Sequence, residues 1–161
     1  MTSTAKRQLT LWQLWSALVA ILLAVWVTLW LTRPAATAVS MTPLSGLITL
    51  KAAAVEAVPY EAAMADQKPT LIEFYADWCT TCQSMSPTVQ KLHQQYGDQI
   101  DFVMLNIDDP RWATQIADYR ATGVPQFTLL TADQTPVKTW VGKVPAPIFS
   151  QVFDEVLNPV S

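Results

Sequence analysis

Leu71-Ile72-Glu73-Phe74-Tyr75-Ala76-Asp77-Trp78-Cys79-Thr80-Thr81-Cys82 decides the fold, because a strand-length apolar run delivers the sequence's only two cysteines to the start of a helix. Thr70 to Tyr75 reads as a buried strand on its β-branched and aromatic content. Cys79 to Tyr96 reads as a helix with Met85, Val89 and Leu92 on one face, kinked at Pro87. A cysteine that opens a helix lies where unpaired backbone N–H groups and the helix dipole stabilise negative charge, which favours its thiolate. The thiolate is the form that attacks disulfides. The pair therefore predicts a thiol–disulfide exchange site. An inert structural disulfide is the competing reading, and it makes a poor staple, because so short a loop constrains little chain entropy.

Outward from this unit, a helix is expected over 59–67, before Lys68-Pro69. Downstream, the pattern predicts a strand over 100–106, a short helix over 112–119, strands over 126–130 and 137–141, and a closing helix over 145–157. That last helix places Ile148, Phe149, Val152, Phe153 and Val156 on one face. Strands interleaved with helices and ending in one hairpin argue an α/β sandwich about a small mixed sheet.

At the front, Leu9 to Leu31 carries no charged residue and no histidine over 23 positions, with Lys6 and Arg7 before it and Arg33 after it. As a helix it would span about 34 Å, enough for the ~30 Å hydrocarbon core of a bilayer. Trp12, Trp15, Trp26 and Trp30 fall where interfacial aromatics belong. The basic flank places the N-terminus in the cytoplasm by the positive-inside rule. A secretory signal peptide cleaved at Ala36-Thr37-Ala38 competes with a retained anchor, but the apolar core is longer than signal cores run. Both readings export the chain beyond Arg33. From Pro34 onward, seven basic residues face thirteen acidic ones, a balance that repels nucleic acid, so no nucleic-acid partner is expected.

The order of parts resembles the thioredoxin fold over Tyr60 to Leu157. It runs from a strand to Trp-Cys-x-x-Cys at a helix start, a proline five residues after the second cysteine, a strand, a helix, and Val124-Pro125 before a hairpin. Glu73 to Cys79, Phe102-Val103-Met104-Leu105-Asn106-Ile107-Asp108 and Gly123-Val124-Pro125, behind an apolar N-terminal run, are similar to the membrane-anchored thioredoxin-like proteins of cyanobacteria (TxlA type) and plant thylakoids. That resemblance implies an α/β thioredoxin-like fold preceded by one transmembrane helix. Residues 1–8 would lie on the cytoplasmic or stromal side, 9–32 would form the span, 33–58 a linker with a short helical piece around Ala52 to Ala57, and 59–161 the redox domain.

The function implied is a lumenal or periplasmic protein-disulfide reductase of the thylakoid type. It would need no cofactor and would be fed electrons by a CcdA-type transmembrane donor. Its protein clients would include apocytochrome c, in c-type cytochrome maturation and cytochrome b6f assembly. Carried over by motif, Cys79 is the attacking nucleophile and Cys82 the resolving thiol. Glu73 is the buried carboxyl that relays a proton for Cys82, its pKa raised by desolvation. Trp78, Val124 and Pro125 form the client-binding edge, with Val124-Pro125 at the position of a cis-proline turn. The lysine that thioredoxins set two residues before Asn106 is Met104 here. Thr80-Thr81 is neither the Gly-Pro of reductases nor the Pro-His of strong oxidants, so a disulfide oxidase or isomerase remains an alternative direction of the same chemistry. A copper- or apoprotein-binding chaperone is the alternative of another class, with the two thiolates and His93 holding Cu(I). Zinc is not expected, since His93 is the only histidine and four ligands are wanting.

Overall fold

Strand β1, Thr70–Tyr75, is buried along its whole length and forms the centre of the sheet. In the computed structural model, which describes residues 15, 18–28 and 43–159, β1 pairs in parallel with β2 (Asp101–Asn106) and antiparallel with β3 (Gln126–Leu130). Strand β4 (Pro136–Val141) completes the order β2-β1-β3-β4 on the far edge. The strand expectations at 70–75 and 126–130 match the observed bounds. The other two differ by one residue at their starts.

Side chains alternate across β1, so the sheet has two cores. Ile72 and Phe74 join Ala63, Val103, Leu105 and Leu130 on one side, beneath α2 (Tyr60–Ala65) and α4 (Ala113–Asp118). Leu71 joins Met85, Val89, Leu92, Phe127, Phe149 and Phe153 on the other, beneath α3 (Thr80–Tyr96) and α5 (Ala146–Leu157). Phe149 and Phe153 are fully buried, each contributing about 1.5–3 kcal/mol from burial. Ile148, expected on the same face, is 44% exposed, because it lies at the margin of the stripe that those two rings define.

Helix α3 runs through Pro87 without ending. Proline supplies no N–H, so the carbonyl of Gln83 loses its usual partner. The Ser86 hydroxyl donates to it instead, at 2.8 Å. The helix stops at Gly97, where any Cβ would lie 2.6 Å from the His93 carbonyl oxygen. The short helix expected from Trp112 begins earlier, as a 3-10 turn over Pro110–Trp112, because the Asp109 carboxylate accepts from the Arg111 N–H and starts the turn.

The stretch read as a linker, 33–58, holds a helix that begins well before the short piece expected around Ala52 to Ala57. Pro43–Glu56 is a 14-residue helix, α1, and it packs on α3 with Leu50 fully buried. Pro43 and Gly46 did not break it: proline is tolerated in a helix's first turn, where the N–H it lacks would have no intrahelical partner, and Gly46 lets the backbone of α1 approach Gln83 closely. The chain divides into two compact units, Met1–Ser40 and Met41–Ser161. In the first, residues 18–28 are helical and exposed. Among the described residues no helix is long and apolar enough to cross a membrane, and the expected span 9–32 extends over positions outside them.

Candidate active site

Cys79 and Cys82 are joined in a disulfide, with their Cα atoms 5.3 Å apart. Cys79 is the N-cap of α3, and its Sγ accepts a hydrogen bond from the Cys82 N–H at 3.0 Å. The position exists because β1 ends at Tyr75 and a tight turn, closed by the Cys79 N–H donating to the Ala76 carbonyl, delivers the cysteine to the helix start. When the disulfide opens, the same backbone N–H and the end of the helix dipole face the Cys79 thiolate and stabilise it. Cys82 is fully buried and Cys79 is 5% exposed, so of the two cysteines only Cys79 has any surface open to solvent.

Glu73 lies on the face of β1 that carries Leu71 and Tyr75, the face covered by α3. It is 1% exposed, and neither carboxylate oxygen has a hydrogen-bond partner. Burial alone pushes its pKa up to about 8. Its lateral neighbours in the sheet are Met104 on β2 and Phe127 on β3, which offer no compensating charge. The expectation of a desolvated carboxyl on this strand is thus met. Tyr75, buried on the same face, has its pKa raised first by desolvation and then by the negative charges of Asp77, Glu73 and Asp109.

The other residues singled out lie around this pair. Trp78 is 64% exposed beside Cys79, and its indole N–H donates to the Asp108 carboxylate at 2.9 Å. The Val124-Pro125 peptide bond is cis. Val124 packs against the cluster that holds both sulfurs. The Gly142 N–H donates to the Pro125 carbonyl at 2.8 Å, and Gly142 adopts a positive φ of 84° that favours glycine. His93 is elsewhere: it stacks on Phe102, 14 residues or ~21 Å along α3 from Cys79, so the copper site with His93 does not form. Among the described residues no group of three or more His, Cys, Asp or Glu gathers to hold a metal.

Three participants escaped the sequence reading. Asp108, quoted within a motif but given no role, holds the Trp78 ring. Lys51 forms an ion pair with Asp77 at 2.5 Å, and Gln83 donates its side-chain N–H to the Asp77 carbonyl at 2.7 Å. The Asn106-Ile107-Asp108 run that leads out of β2 was a usable signal for Asp108. No local signal links Lys51 to a residue 26 positions away.

The thioredoxin family model matches residues 51–154. The chain belongs to the thioredoxin family. It is 40% identical over 114 residues to the thiol:disulfide interchange protein TxlA of Synechococcus elongatus, an alignment covering 71% of this chain and 60% of that protein. It is also 40% identical over 104 residues to the chloroplastic thioredoxin-like protein HCF164 of Oryza sativa, covering 65% of this chain and 40% of that one. The chain thus spans about half the length of these curated relatives. Thioredoxin 1 of Synechococcus elongatus is matched over its whole length at 31% identity. Among solved structures, oxidised mitochondrial thioredoxin 3 of Saccharomyces cerevisiae superposes with a TM-score of 0.50 at 26% identity, covering 58% of this chain and 84% of that one. Within this thioredoxin-family chain, α1 begins ahead of the matched region.

Proposed function

We propose that this chain is a membrane-anchored thiol–disulfide oxidoreductase that reduces protein disulfides on the lumenal or periplasmic side. Residues 9–32 would serve as its span and a CcdA-type protein as its electron donor. One observation carries the chemistry: Cys79 caps a helix start just after the strand that buries a partnerless carboxyl, with a second sulfur in bonding position. The names of the relatives, thiol:disulfide interchange protein and chloroplastic thioredoxin-like protein, support the class of chemistry. Apocytochrome c thiols, in cytochrome maturation and cytochrome b6f assembly, are the proposed client chemistry.

The reaction runs in two exchanges. The Cys79 thiolate attacks a client disulfide, forming a Cys79–client S–S bond, and the client's other sulfur leaves as a thiolate that takes a proton from water. Cys82 then gives its proton to the Glu73 carboxylate and attacks Cys79 Sγ. The Cys79–Cys82 bond forms, the client leaves with both sulfurs reduced, and two electrons have passed to it. When a donor dithiol reopens the bond, Glu73 returns the proton to Cys82. A carboxyl titrating near 8 can act in both directions around neutrality.

Replacing Cys82 with Ser removes the second exchange and should trap clients on Cys79. Non-reducing gels of the variant are expected to show thiol-sensitive adducts, and their absence would refute the assigned order. A dithiol potential nearer thioredoxin, about −270 mV, than DsbA, about −120 mV, is expected for a reductase.

A further inference from the structure

We infer that helix α1 is a working part of the redox site, with Leu50 as a positioning residue that seals the compartment in which Cys82 and Glu73 exchange a proton. The inference rests on the proton relay proposed above and assigns its control to an element that begins ahead of the matched family region.

Leu50 is fully buried, in one cluster with Tyr75, Ala76, Cys79 and Cys82, and Ala54 and Met104 pack against that cluster. Met104 is the β2 partner of Glu73, and partnered residues in neighbouring strands project to the same face. Two apolar side chains, Leu50 and Met104, therefore lie over the side of the sheet where the Glu73 oxygens have no partner. Water admitted here would hydrate the carboxylate and remove the desolvation that holds it protonated.

Three contacts clamp α1 in place. The backbone at Gly46 lies so close to α3 that a Cβ there would be 3.0 Å from the Gln83 Cβ. The buried Ser86 hydroxyl, already bonded to Gln83, also reaches the Gly46 carbonyl at 3.4 Å. Lys51 pairs with Asp77, two residues before Cys79, at 2.5 Å. An exposed ion pair adds little stability. Here it fixes the loop between strand and nucleophile to α1.

The titratable groups around Glu73 are few. Tyr75 stands on its own strand and Cys82 on α3, while β2 and β3 present Met104 and Phe127. The nearest charges contributed by α1 and by the loop after β1 are the mutually paired Lys51 and Asp77. No neighbouring charge enters the shift of Glu73, so a loss of burial is read directly in its titration.

The test is an NMR titration of the full chain in detergent micelles, with 13C-labelled glutamate and the disulfide intact. Four glutamates are present, Glu73 is the buried one among them, and its signal should titrate near 8. Leu50→Ala is expected to lower the Glu73 midpoint by about one pH unit or more, and Leu50→Met to restore it. Gly46→Ala introduces a better helix former but pushes α1 off Gln83, and should shift the midpoint in the same direction. Leu130→Ala, a truncation in the core on the opposite face, should leave it unmoved. Where Leu50→Ala fails to fold, Gly46→Ala decides. A high midpoint indifferent to both α1 substitutions overturns the seal while sparing the relay. An ordinary carboxylate midpoint in the unsubstituted chain overturns both.

Discussion

Ile72 and Phe74 point to one side of β1, and Leu71, Glu73 and Tyr75 to the other, and the two sides are nearly equally dry. On the first side the apolar cluster is joined by two buried polar residues of β3, Gln126 and Thr128, but each has a hydrogen-bond partner, the Tyr119 carbonyl at 3.0 Å and the Thr139 hydroxyl at 3.3 Å, so burial there serves stability. On the second, a carboxyl without a hydrogen bond occupies a position that a leucine could fill. Burying such a group is unfavourable, and far more so ionised than protonated. The contrast separates two uses of a core within a single strand: one side holds the domain together, and the other keeps a proton within reach of sulfur.

The largest effect that would sharpen this contrast is at the reacting atom. Cys79→Ser should reduce insulin disulfide reduction to background while leaving the melting temperature nearly unchanged. Glu73→Gln should slow turnover at pH 8 on the order of 10²-fold, the range of a lost general acid–base. The same variant should be more stable than the parent. The native carboxyl titrates near 8 against an ordinary value of 4.5, so the folded chain keeps a proton that the unfolded chain releases. Parent stability therefore falls as pH rises from about 4.5 to 8, and the penalty is complete above 8. Urea unfolding at several pH values should show the gap widest above pH 8 and closing near pH 4. Phe74→Ala, on the other side of the strand, should cost about 3–5 kcal/mol in urea unfolding. It should leave the pH midpoint of the surviving activity in place. Smallest, Trp78→Phe removes the bond to Asp108 and should raise KM for a protein client by less than about tenfold, with kcat retained.

Strands β1 and β3 were legible because buried strands are written as short apolar runs between breakers, and the cysteine pair was legible because its chemistry depends on local spacing. Glu73 stood out for the same reason: a lone carboxyl inside such a run has few innocent explanations. Helix α1 stood out only at its end, in the short helical piece expected around Ala52 to Ala57. The Thr and Ser content before it, with Pro43 and Gly46, reads as loop, and the helicity there is settled by packing against α3, which no window of its own sequence contains. Ile148 misled by fitting the period of α5 while lying at the border of its buried stripe. The pairing of Lys51 with Asp77 and the isomer at Val124-Pro125 are tertiary facts, visible once the chain is folded.

The hydrogen bond from the Cys82 amide to the Cys79 sulfur ties two properties together. The backbone of the second cysteine solvates the first, so acidity at one sulfur and placement of the other are not independent variables. Substitutions at Thr80 and Thr81 that reshape this single helical turn should move thiol acidity and reducing power together. A library at those two positions would then scatter along a line rather than fill a plane, leaving evolution one dial in place of two.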